Sequence, residues 1–415
     1  MKVLILHNRY RQPGGEDAVF HAESRLLASH GHPVVTLEVD NEVQESRRLI
    51  DAAELAAGAV WSWRSHARIA ALCQMHRPDV VHVHNFWMRL SPSIHAACRE
   101  MGIPSVQTLH NYRLVCPAAS LLRDGKVCED CVGRIPWRGV ARRCYQGSLP
   151  ASLAAAGMAA FHRARGTWDN DVSAFIVLSG EAREKFIAGG LPPSRIFVKP
   201  NFLFDPGEPR RRPSASRTVL FAGRLSPEKG VATLLDAWEG MPDGVRLRIA
   251  GDGPERSALE RRAEQLRANV AFEGHLEPAM VRRAMQDSRC VVVPGIWREP
   301  FGMSVIESFA AGRPVVTSRL GAPAEIVQHG RNGLLAEAGD ARELNRHLRA
   351  LLDDGDAADR MGRNAREDYR TRYSPERNYS RLISIYEFVI AMAGNLVNRA
   401  ESGAAILSGR GVNAN

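Results

Sequence analysis

Lysine is nearly missing from this sequence. Of 55 basic side chains only five are lysine, at Lys2, Lys126, Lys185, Lys199 and Lys229. The arginine excess, like the abundance of alanine, is read as a genomic bias. Long hydrophobic runs are missing too. No stretch approaches the ~20 apolar residues of a membrane-spanning helix. The richest, LPASLAAAGMAAFH at 149–162, is short and alanine-rich. The opening MKVLILHNRY has only four apolar residues after Lys2. That is too few for a secretory signal core and reads as a buried first strand. The expected location is therefore cytoplasmic. An even cysteine count is also lacking. Seven cysteines without a secretion signal argue against a disulfide framework. The formal charge of +9 is not accompanied by a basic-aromatic nucleic-acid motif. Nucleic acid is thus not expected as a partner, which leaves phosphorylated ligands and anionic lipid.

What is present describes a soluble globular chain: 415 residues, 45% apolar and 24% charged. One hydrophobic core rarely supports that length, so two domains of about 200 residues each are expected. Short apolar runs at 3–6, 32–39, 78–85, 104–111 and 172–179 alternate with helical patterns. A glycine turn, QPGGED at 12–17, leads into a helix reaching about residue 30. Such alternation implies a parallel sheet covered by helices on both faces. Ligands then gather at the carboxyl ends of the strands, where His84, Asn85, His110, Asn111 and Ser179 stand. The stretch 200–217, rich in Pro, Arg and Ser, reads as an exposed linker. The pattern then restarts with strands near 217–225, 245–253, 289–295 and 313–318. The expected organisation is an acceptor domain at 1–200 with a Cys-rich insertion at 116–144, and a donor domain at 201–374. A helix at 375–395 would return to the first domain, and a disordered tail would fill 396–415. A ligand is expected in the cleft between the domains.

Two motifs carry chemistry. In FAGRLSPEKG, 221–230, a strand ends at Gly223, where a ligand can approach the backbone closely. Arg224 and Lys229 flank the following turn. Two cations there can neutralise a diphosphate without a metal; the plain alternative is a charged surface loop. In WREPFGMSVIESFAAGRPVV, 297–316, Glu299 and Glu307 stand eight residues apart around a Pro-Phe-Gly turn. Gly302, Met303 and Ser304 open a helix whose free N–H groups form an anion site. Glu307 lies ~7–8 Å further along the axis, within reach of ribose hydroxyls. Glu299 is suited to vicinal sugar hydroxyls. The alternative makes Glu299 an arginine partner and Glu307 part of a solvated face. A third glycine loop, AGDGPE at 250–255, contains Gly253, and FEGHL at 272–276 is placed to contact a base.

GRLSPEKG, GDGPE, EPFGMSVIE and AAGRPVV in this order, with the N-terminal QPGGED, resemble glycosyltransferase family 4 over about residues 1–390. The resemblance implies an α/β GT-B fold, two Rossmann-like doubly wound domains facing a central cleft. It implies a retaining transfer from a nucleotide-sugar to a saccharide acceptor, without catalytic metal. By motif match Arg224 and Lys229 would bind the diphosphate, Glu299 the sugar and Glu307 the ribose. Gly302, Met303 and Ser304 would offer backbone contacts, and Gly14 and Gly15 would lie near the reacting centre. His110 matches the N-domain active-site histidine. Its side chain would hydrogen-bond a donor hydroxyl and its main-chain carbonyl would face the cationic carbon of a front-face transition state, with no enzyme nucleophile. Arg224, Lys229 and the helix N-terminus would stabilise the leaving diphosphate.

One formal competitor is DND at 169–171, a D-x-D pattern of metal-dependent transferases. It precedes a strand instead of following one and reads as loop and capping residues. Cys116, Cys128, Cys131 and Cys144 are spaced C-x11-C-x2-C-x12-C. That spacing suggests a structural tetrahedral zinc site, with free thiols or an iron–sulfur cluster as alternatives. Cys73, Cys98 and Cys290 read as small core residues. The stretch around the four cysteines looks like that of a bacterial polysaccharide-assembly branch of the family. This resemblance implies a polyprenyl-linked acceptor and an exopolysaccharide product. The neighbouring GRIPWRGVARRCYQG, with Trp137 and Tyr145, reads equally as a contact with an anionic membrane or as a solvated basic loop. Two other functions compete: a nucleotide-sugar epimerase of GT-B-like fold, and a non-catalytic nucleotide-sugar-binding scaffold.

Overall fold

A computed structural model describes residues 1–9, 14–40, 49–266 and 269–408. Two six-stranded parallel sheets dominate it. In chain order the strands are β1 Val3–Arg9, β2 Val34–Asp40, β3 Val80–Asn85, β4 Ser105–Leu109, β5 Leu122–Arg123, β6 Lys126–Val127, β7 Ala174–Val177, β8 Ile196–Val198, β9 Thr218–Ala222, β10 Arg246–Ala250, β11 Val270–Gly274, β12 Cys290–Val293, β13 Val315–Ser318 and β14 Gly333–Ala336. The first sheet runs β2-β1-β3-β4-β7-β8 and the second β11-β10-β9-β12-β13-β14. Both are doubly wound: the chain starts near the centre, moves to one edge and returns past its origin. β5 and β6 form a separate antiparallel hairpin inside the Cys-rich insertion.

The central strands are buried on both faces, as in VLIL of β1 and CVVV of β12. Helices must therefore cover each side, and an edge strand such as β2 is the less buried one. Each sheet has an apolar cluster on either face. One cluster of the first sheet joins Val3, Ile5 and Phe20 to Leu382, Ile385, Tyr386 and Val389 of the last helix. The C-terminal helix thus packs on the N-terminal sheet, and Tyr386 reaches His82 Nδ1 at 2.7 Å.

Two expectations are corrected. The segment 200–217 is clamped, not exposed along its length: Phe202 and Pro213 are buried. Tyr369 donates to Leu203 O at 2.9 Å and Asn378 Nδ2 to Pro200 O at 2.9 Å. Its Phe and Leu residues bury apolar area that a free linker would leave wet. The final helix spans Pro375–Ser408, so the disordered tail expected from residue 396 is not seen as far as Ser408. No proline interrupts the helix after Pro375. Residues 409–415 lie outside the described residues.

Candidate active site

Strand ends and helix starts from both sheets converge. On the second sheet, the loop after β9 carries Gly223, Arg224 and Lys229. It is held by the loop after β10. A Cβ at Gly251, whose φ is 142°, would fall 1.8 Å from Gly223 O; one at Gly253 would fall 2.3 Å from Leu225 O. Leu225 N–H donates to Asp252 O at 2.9 Å. Close backbone packing between two loops therefore requires these glycines, whatever they offer a ligand. Arg224 is exposed and has no ion-pair partner among the described residues. Lys229 Nζ lies 2.8 Å from Glu299 Oε1 and 5.3 Å from the centroid of the Trp297 ring. The sequence alternative of an arginine partner for Glu299 is replaced by this lysine.

Gly302 caps the helix Met303–Ala310 with φ 92° and ψ 70°, a left-handed conformation natural to glycine. Ser304 Oγ donates to Ala222 O at 3.1 Å, tying this helix to the end of β9. Glu307 is half-buried and makes no side-chain hydrogen bond among the described residues. Burial pushes its carboxyl up, only partly offset by Arg282. A carboxylate in that state gains from hydroxyl donors.

The two halves meet at this point. A Cβ at Gly15 would lie 3.7 Å from Met303 Cγ, so Gly15 faces the helix start. Gly14 caps the helix Gly15–Ser29 and its N–H donates to Asp17 Oδ2 at 2.5 Å. Asp17 Oδ1 is 2.8 Å from His7 Nε2 on β1. Arg298, beside Glu299, pairs with Glu181 and lies 2.8 Å from Glu129 Oε1. Ser179 donates to Pro300 O at 3.2 Å, and Glu325 accepts from the N–H groups of Gly180 (2.9 Å) and Glu181. These contacts fix the Glu299 turn against the first half.

His110 follows β4, is half-buried, and lies 3.1 Å from His84 Nδ1 through its Nε2. Burial holds its pKa well below the usual histidine range, so the ring is neutral. Two neighbours were not singled out by the sequence motifs. Glu16 accepts from Asn85 Nδ2 at 3.1 Å. Burial and then Asp17 push its carboxyl up to about 8, against Arg113 and Asn85. Glu23, fully buried, pairs with Lys199. It occupies the apolar face of its helix with Val19, Phe20, Leu26 and Leu27. A charge at such a position was the available signal.

In the insertion, Cys116, Cys128, Cys131 and Cys144 line one apolar pocket with Arg123, Arg138 and Arg142. The four thiols are unbridged, as are buried Cys73, Cys98 and Cys290. Burial first, then the neighbouring thiols, raise the pKa of Cys131 and Cys144. Among the described residues, Glu23, His82 and His84 are the one group of three or more such side chains whose ligand atoms all lie within 4.8 Å of one another, so no three of the four sulfurs do. In the DND segment, Asp169 and Asn170 belong to the short helix Thr167–Asn170. Asp171 is buried, paired with Arg165 and, at 2.7 Å, with Arg99.

Family models for "Glycosyl transferase 4-like domain" and "Glycosyl transferases group 1" match residues 14–201 and 208–368. The chain is 29% identical over 405 residues to a glycogen synthase of Mycobacterium tuberculosis, covering 88% of this chain and 90% of that one. It is 32% identical over 166 residues to the lipopolysaccharide core biosynthesis glycosyltransferase LpsE of Rhizobium meliloti, 40% of this chain and 48% of that one. The solved structure of Anabaena Alr3699/HepE in complex with UDP superposes with a TM-score of 0.64 at 19% identity, covering 95% of this chain and 100% of that one. Two doubly wound sheets and family matches across both halves place this chain in the GT4-type GT-B glycosyltransferases.

Proposed function

We propose that this enzyme moves a sugar from a nucleotide-sugar to a saccharide acceptor, with retention and without a catalytic metal. The observation that carries the reading is the Lys229–Glu299 pair at 2.8 Å, with Glu299 four residues before the helix start at Met303, which itself faces Gly15. Lys229, Arg224 and the N–H groups of that helix form a cationic set for a diphosphate. Glu299 would take sugar hydroxyls and Glu307 the ribose. As the sugar–phosphate bond breaks, negative charge grows on the diphosphate, where these donors are already aligned. Asp171 is committed to Arg99 and Arg165, which supports reading DND as structural. The similarity to a protein solved with UDP favours a uridine donor. Thermal shift against UDP, GDP and ADP, with EDTA, tests the reading. A selective rise with UDP is expected; no shift with any nucleotide would remove the donor site.

The acceptor is proposed to be a polyprenyl-linked precursor of a bacterial surface polysaccharide, with the enzyme at the inner face of the membrane. Leu149, Leu153 and Phe161 are exposed along one helix, beside exposed Ile135 and Trp137. Arg134, Arg138 and Arg142 adjoin them in the chain. Apolar side chains beside arginines suit an anionic lipid surface. Binding to anionic but not neutral vesicles is the expected result; equal, weak binding to both would remove the membrane contact.

The cysteine set fits zinc by chemistry: four soft donors around one pocket, on loops that carry the β5–β6 hairpin and the short helix Trp137–Ala141. Cys116, Cys128, Cys131 and Cys144 would hold the ion, which would cross-link the insertion and leave no open position for catalysis. One zinc per chain is expected by elemental analysis. Metal-free protein with four reduced thiols overturns this part alone.

A further inference from the structure

Beneath His110 lies a buried polar chain for which the donor and acceptor roles assigned so far provide no use. Lys199 and Glu23 are an ion pair with both side chains fully inaccessible. Burial opposes the Glu23 charge, yet Lys199 and the two histidines hold its carboxyl well below the usual range. Glu23 Oε2 faces His84 Nε2 at 3.4 Å. Both atoms are buried, and apart from this contact neither meets a polar partner in ordinary hydrogen-bond geometry, so they are left to each other. His82 is 3.8 Å from the same oxygen, but its nitrogens are taken by Tyr386 OH and Thr108 Oγ1, each at 2.7 Å. The same contacts make Glu23, His82 and His84 a poor cation site, since Lys199 already occupies the carboxylate.

The donors and acceptors then follow in order. An ionised carboxylate can only accept, so His84 Nε2 carries a proton. Lys199 and Glu23 already balance each other, and a further buried cation would have no partner. His84 is accordingly neutral and its Nδ1 is a bare acceptor. His110 Nε2, 3.1 Å away, must donate to it. Neutral His110 has one ring proton, which this bond uses.

We infer that Glu23 and His84 are positioning residues that fix the tautomer of His110, leaving its Nδ1 as a hydrogen-bond acceptor for a substrate hydroxyl. This rests on the placement of His110 in the active site made above. His110 Nδ1 has no partner among the described residues. A sugar O–H can donate to it; a phosphate or carboxylate oxygen cannot. The device selects hydroxyl-bearing sugar at this spot and excludes His110 as a proton donor to the leaving group.

The test is a long-range proton–nitrogen correlation spectrum of full-length protein labelled with 15N-histidine. His110 and His84 signals are assigned by their loss in His110→Gln and His84→Asn. Both rings are expected with the proton on Nε2. A proton on His110 Nδ1 in the wild type overturns the inference without any variant having to fold. His84→Leu removes the acceptor and should give His110 a mixture of tautomers. Turnover of the donor should fall at least tenfold, while UDP affinity stays within twofold. His84→Asn places an amide oxygen near the old Nδ1 and should recover several-fold of the loss. Equal turnover in the leucine and asparagine variants overturns the positioning role. A fully active His110→Gln would instead refute the placement of His110 and leave the tautomer result standing.

Discussion

Replacing Lys229 by methionine separates the catalytic use of this side chain from its structural use. At 2.8 Å from Glu299, the bare attraction is roughly 6 kcal/mol at an effective dielectric of about 20. That figure omits desolvation and screening. With side-chain exposures of 23% and 15%, both groups touch solvent, and the net contribution to stability is about 1 kcal/mol or less. Methionine keeps most of the apolar stem, and Glu299 can rehydrate. In the proposed role the same ammonium would meet, on the leaving diphosphate, charge that appears only in the transition state. Losing one such donor costs about 2.7–4 kcal/mol, or ~10²–10³ in kcat. Urea unfolding and single-turnover donor consumption measure the two quantities on the same sample. The expected result is a stability change near 1 kcal/mol with a rate loss of at least a hundredfold. A rate loss under about tenfold would refute the assignment to the leaving group. A stability loss above about 3 kcal/mol would make the residue structural.

Glu307→Ala should weaken UDP binding about tenfold by calorimetry, whereas Glu299→Ala should leave UDP binding intact and weaken only the sugar conjugate; identical titrations for both remove the two roles. Gly253→Ala puts a Cβ 2.3 Å from Leu225 O, so stability should fall by about 1–3 kcal/mol as the loop carrying Arg224 shifts. An unchanged urea midpoint would show that the loops separate freely. Glu16, with its folded pKa raised from 4.5 to about 8, keeps its proton in the fold where the unfolded chain loses it. Stability should therefore fall with rising pH between those values and level off above. Glu16→Gln should flatten that slope, and parallel urea–pH profiles would place the slope elsewhere.

The composition of β1 and β12, apolar on both faces, made a covered parallel sheet legible from sequence. The glycine and charge spacing of 221–230 and 297–307 marked the loops proposed to hold the donor for the same local reason. Turns and helix starts are written in consecutive residues. The four cysteines were legible as a group and do surround one pocket. The Pro and Arg content of 200–217 matches the exposure of much of the segment but does not reveal the burial of Phe202 and Pro213.

Other features depended on contacts far apart in the chain. Lys229 meets Glu299 across 70 residues, Glu23 meets Lys199 across 176, and His82 meets Tyr386 across 304. No local pattern specifies which buried charge finds which partner; strand order and helix packing decide it. Sequence alone determined the sheet-forming segments and the loops suited to a phosphate. Tertiary structure decided which oxygen faces which nitrogen, because hydrogen bonds depend on distances of a few ångströms that only the packed chain sets.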